Sequence, residues 1–147
     1  MANGSLPIIE AIYFLNIEII EVLLQFGANV NCCSRQAAIY PIVSACLVGS
    51  LEVSRLLVEH GADISVQTEL GSTALMGACS KENLELVAYL LDVPGCDVNA
   101  RGYRDGQTAL MVACMNEPSN SCTAIVAILL RRGADVNIQS FAGLTAL

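Results

Sequence analysis

The stretch Gln107-Thr108-Ala109-Leu110-Met111-Val112-Ala113-Cys114 constrains this chain more than any property of its composition, because it recurs. It returns as Ser72-Thr73-Ala74-Leu75-Met76-Gly77-Ala78-Cys79 and begins once more at Leu144-Thr145-Ala146-Leu147. A second phrase keeps step with it, two leucines followed a few residues later by Gly-Ala-Asp-Val-Asn or a close variant. Leu23-Leu24 leads to Gly27-Ala28-Asn29-Val30-Asn31, and Leu56-Leu57 to Gly61-Ala62-Asp63-Ile64-Ser65. Leu90-Leu91 leads to Gly95-Cys96-Asp97-Val98-Asn99, and Leu129-Leu130 to Gly133-Ala134-Asp135-Val136-Asn137. The four glycines stand 34, 34 and 38 residues apart. A unit of that length cannot bury its apolar face alone, so the chain is expected to stack its units into a solenoid rather than to fold around one central core.

On these residues the chain resembles the ankyrin-repeat family over nearly its whole length: the Thr-Ala-Leu opening, the double leucine and the Gly-Ala-Asp-Val-Asn phrase come in that family's order and spacing. The resemblance implies an all-α solenoid of helix-turn-helix units joined by β-hairpin-like loops. It implies one array over residues 1–147, with units at about 6–39, 40–72, 73–107 and 108–144 and the start of a fifth at 145–147. A stop one turn into a fifth unit reads as a fragment of a longer array or of a multidomain protein.

Within the first unit, Pro7 suits a first helical turn, where its missing N–H costs nothing. Helices are expected to about Phe14 and from Ile17 to Phe26, with Gly27 ending the second in the left-handed conformation. This unit is apolar nearly all round, and a terminal repeat ordinarily needs a polar outer side. In the second unit helices are expected near Pro41 to Val48 and Leu51 to His60. Val93-Pro94 should stop a helix just before Gly95. The fourth unit carries about four extra residues around Met115 to Cys122, expected as a protruding loop.

Composition suits thin stacked layers, at 54% hydrophobic but only 5% aromatic with no tryptophan. The net charge of -7 argues against nucleic acid and leaves a neutral or basic protein as the partner. The apolar run from Leu6 to Phe26 is broken by Glu10, Asn16, Glu18 and Glu21, so it reads as neither a signal peptide nor a membrane span, and no membrane insertion is expected. Seven cysteines without paired spacing point to a reducing compartment, hence an intracellular location, in the cytoplasm or the nucleus.

No residue pattern points to catalysis, a cofactor or a metal site. Cys46, Cys79 and Cys114 share one place in successive units, too far apart for bridging, and are expected as buried packing residues, leaving Cys32, Cys33 or Cys122 to react first. His60, the sole histidine, stands in the last turn before Gly61 and is expected to cap the helix carbonyls. The position where the family has an inter-repeat histidine holds Ile9, Val43, Met76 and Met111, which replaces a polar link by apolar packing. Asn31, Asn99 and Asn137 occupy the asparagine that in ankyrin repeats can be hydroxylated; the plainer role for each is to bond the hairpin backbone.

The resemblance also implies where a protein partner would touch. The positions just before the hairpin glycine and at the end of the first helix are Leu47, Val48, Glu69, Leu70, Ser80, Lys81, Arg104, Asp105, Met115, Asn116 and Phe141, with Tyr103 on the third hairpin tip. The expected function is a non-catalytic protein-protein interaction module that binds on its concave surface. The alternative is the targeting or substrate-recognition arm of a larger enzyme, such as a kinase or a ubiquitin ligase.

Overall fold

A computed structural model describes residues 6–34 and 38–146. It contains α1 (Pro7–Tyr13), α2 (Ile17–Gln25), α3 (Pro41–Val48), α4 (Leu51–Glu59), α5 (Ala74–Ser80), α6 (Leu84–Asp92), α7 (Ala109–Met115) and α8 (Asn120–Arg131). No strand occurs among the described residues. Odd-numbered helices pack in one row, α1 on α3, α3 on α5 and α5 on α7, and each is backed by the helix that follows it.

Local chemistry sets where each helix begins. Prolines open α1 and α3, while Thr73 and Thr108 cap α5 and α7 by accepting from the Met76 and Met111 amides. The second helix of every pair starts behind a short polar side chain: Asn16, Ser50, Asn83 or Ser119 accepts from the amide three residues on. His60 closes α4 through Nδ1, which donates to the Leu56 carbonyl at 2.8 Å, the capping role expected for it.

The extra residues of the fourth unit do not form the expected protruding loop. Only residues 116–119 separate α7 from α8, and Asn120 to Cys122 are helical, so α8 has 12 residues where α2, α4 and α6 have 9. Ser119 explains the difference: a good cap placed early lets the added residues extend a helix and keep their backbone bonded.

Burial follows the repeat. Ile12, Ile20, Ile42, Leu57, Leu86, Leu90, Leu110, Ile125 and Leu129 are fully enclosed between layers. Ile9, Val43, Met76 and Met111 are all buried, so apolar packing does replace the polar link at that position.

Two rows of asparagine amides add polar ties between layers. Asn31 donates from Nδ2 to the Gly61 carbonyl (3.0 Å) and accepts from the Asp63 amide (2.8 Å). Asn99 does the same with Gly133 and Asp135, at 3.0 and 2.8 Å. Asn31 and Asn99 therefore bond backbone groups of the next unit's turn, where the sequence pointed to the hairpin backbone. Lower down, Asn83 donates to the Gly49 carbonyl and Asn116 to the Cys79 carbonyl.

A candidate protein-binding surface

Three hairpin loops are fused into one ridge. The first closes with the Thr68 amide on the Ser72 carbonyl, the second with Gly102 on Gln107 and the third with Ser140 on Leu144. Gly71 has φ +82°, and a Cβ there would lie 2.1 Å from the Tyr103 nitrogen, so only glycine lets the first two hairpins meet. The second and third are joined by the Phe141 amide on the Asp105 carbonyl (2.7 Å). Arg101 spans the same pair: Nη2 donates to the Gln139 carbonyl at 2.6 Å, and its guanidinium sits 5.2 Å from the Phe141 ring centre.

This ridge holds Leu70, Tyr103 and Phe141 with 57%, 68% and 64% of their surface exposed, more than a packing role requires. Glu69 and Arg104 stand beside them, and neither they nor Lys81 has an ion-pair partner among the described residues. Arg101, by contrast, is spent on holding the ridge together.

Below the ridge lie two cavities. One of about 200 Å3 brings together four of the expected contact residues, Leu47, Leu70, Ser80 and Asp105, with Met76 and Gly77 beneath them. A second, of about 290 Å3, lies among Met111, Cys114, Met115 and Leu144. Val48 is half-buried at the end of α3, and neither it nor Lys81, which packs its stem beside Gly49, lines either of these two cavities. Asn116 is half-buried and engaged with Cys79, which makes it an inter-layer tie. Reading the repeat for variable positions missed Met76, Met111, Cys114 and Leu144 because they belong to the shared motif. The signal was the methionine in place of histidine, a long side chain that reaches the groove floor.

The cysteines divide differently from expectation. Burial pushes Cys46 and Cys79 up to about 12 and Cys96 up to about 11. Cys114 is exposed, because the layer that covers Cys79 has no counterpart beyond α7 among the described residues. Cys122 is buried instead of exposed, its Sγ donating to the Ala113 carbonyl at 2.9 Å. No cluster of three or more His, Cys, Asp or Glu suited to a metal occurs among the described residues, and no helix there is long and apolar enough to cross a membrane.

Stacked helix pairs joined by hairpins and facing a groove define a repeat protein of the ankyrin type. The family model for ankyrin repeats, in three copies, matches residues 42–140, and the chain belongs to that family. Ankyrin repeats mediate protein-protein interaction. Among similar proteins, the probable E3 ubiquitin-protein ligase XBOS33 of Oryza sativa subsp. japonica is 41% identical over half of this chain and 14% of its own length. Ankyrin repeat and SOCS box protein 16 of Mus musculus is 32% identical over 77% of this chain and 25% of its own. NF-kappa-B inhibitor zeta of Homo sapiens is 35% identical over 61% of this chain and 13% of its own. The chain thus spans a quarter or less of each of these relatives.

Proposed function

We propose that this chain is a non-catalytic module that binds a protein partner along its concave side, through the hairpin ridge and the groove beneath it. The observation that carries this reading is the ridge itself, where Leu70, Tyr103 and Phe141 stand exposed on loops that are cross-bonded and packed into place. Rigid loops bearing exposed side chains cost little ordering entropy on binding, and aromatic residues such as Tyr103 and Phe141 are enriched at protein interfaces. Replacing Leu70, Tyr103 and Arg104 together by alanine is expected to cut capture of partner proteins by about tenfold or more, with the fold checked by circular dichroism. Glu52→Ala and Glu59→Ala on α4 serve as controls, since Arg132 ties Asp92 and the Leu91 carbonyl and is unsuited to that use. Retained capture by the ridge variant, with loss in the α4 variant, would place binding on the outer face.

A second reading, the recognition arm of a larger enzyme, is favoured by the relatives named as a ubiquitin ligase and as a SOCS box protein, in which the matched repeats are a minor part of the chain. On that reading the groove selects what is brought to a catalytic or adaptor region elsewhere.

A further inference from the structure

The two cavities of the groove repeat with the array. Gln107 borders both, and Met76 and Met111 hold the same place in successive units, so the second cavity is the first moved on by one layer. Packed helices lie about 8–10 Å apart, which sets the spacing between the cavities. In a partner α-helix, residues i and i+7 share a face and stand about 10.5 Å apart along the axis. An extended segment fits badly. Its residues three apart span about 10 Å but point to opposite faces, and those sharing a face span about 7 or 13 Å.

We infer that the groove takes an amphipathic helix of the partner, with large apolar side chains at i and i+7 seated in the two cavities. This deepens the protein-binding reading and rests on it. Charge supports the assignment and gives it a direction. Asp105 lines the first cavity and the unpaired Glu69 adjoins it next to Leu70, both on the hairpin side, while Lys81 follows Ser80 toward the Gly49 side. No charged side chain lines the second cavity, and Arg104 lines neither. The helix therefore carries a lysine or arginine, on its hairpin-facing side, beside the apolar residue that enters the first cavity, and uncharged neighbours beside the other.

The test uses the full chain and two displayed peptide libraries. In one, alanine-rich peptides of about 18 residues, long enough to hold a helix in water, are randomised at i, i+7 and their neighbours. In the other, prolines prevent the helix. The expected result is enrichment from the helical library of leucine, methionine or phenylalanine at both anchor positions, with a base beside one of them. Ser80→Phe and Cys114→Phe, which fill the two cavities from exposed positions, should each weaken a selected peptide by about tenfold, and Glu59→Ala should leave its affinity unchanged. Binders enriched only from the proline library and weakened by the cavity-filling variants would overturn the helix while keeping the groove. Binders indifferent to both fillings would overturn the groove as well. Absence of binders from either library would also overturn the helix, and the alanine variants described above judge the protein-binding reading separately.

Discussion

Cys46 and Cys79 hold their protons more tightly in the folded chain than in the unfolded one, because ionising either would place a charge between packed layers. Their pKa values rise from the ordinary 9.0 to about 12, so both thiols are neutral in both states below pH 9 and burden neither. As pH climbs from 9 toward 12 the unfolded chain sheds two protons that the folded chain keeps. Stability must therefore fall with rising pH, by roughly 1 kcal/mol per pH unit for each thiol. Urea unfolding at about pH 8 and about pH 10 should show a steeper loss for the natural chain than for Cys46→Ala/Cys79→Ala, and parallel losses would mean the thiols are not proton-linked to folding. That these two cysteines pack inside was legible from the motif, since a repeated small apolar position means a repeated contact. Cys114 and Cys122 were misjudged for one reason: sequence tells which side of a helix a residue is on, but not whether another layer covers that side.

At the scale of elements, the starts of α1 to α4 were readable because their causes are local, a proline or a short polar cap, whereas the start of α8 behind Ser119 was expected as loop. The asparagine ties were not readable, since Asn31 and Asn99 meet partners 30 or more residues away. Their pattern exposes a gap. The equivalent residue of the second unit is Ser65, whose hydroxyl donates to Asp63 of its own turn at 2.6 Å and does not reach Asp97. Beside Ser65 there is a cavity of about 160 Å3, whose border includes Ile64, Gln67, Cys96 and Asp97. Gln67 Oε1 is buried beside it without a hydrogen-bond partner. The Asp97 amide, lacking the acceptor that Asp63 and Asp135 have, should exchange its hydrogen faster than theirs. Ser65→Asn should slow that exchange and add about 1 kcal/mol of stability, the net worth of a typical hydrogen bond. Equal exchange at the three aspartates, or no change in the variant, would show that the ties do not hold the turns.

Across the whole molecule, acidic side chains gather on the second helices, where Glu18, Glu21, Glu52, Glu59, Glu85 and Asp92 are exposed. Beyond the first layer, most large exposed apolar side chains among the described residues lie on the ridge or at the groove, with Leu84 and Leu130 the exceptions on α6 and α8. The solenoid and its period were plain from the repeated phrases, whereas the groove was only partly so, because a cavity belongs to the space between layers and not to any one residue. The first layer departs from this division. Ile19 stands where Val53 and Leu86 stand in the next two layers; they are 0% exposed and it is 49% exposed. Tyr13, Phe14, Leu15, Val22 and Phe26 are exposed on the same layer. In an array whose stability is a sum over neighbouring pairs, a layer packed on one side only opens more readily than one packed on both. Hydrogen exchange should therefore be faster across α1 and α2 and across residues 138–146 than across α5 and α6, which lie between two neighbours. Equal protection in all three regions would mean that stability here is shared by the whole array and does not fall toward its ends.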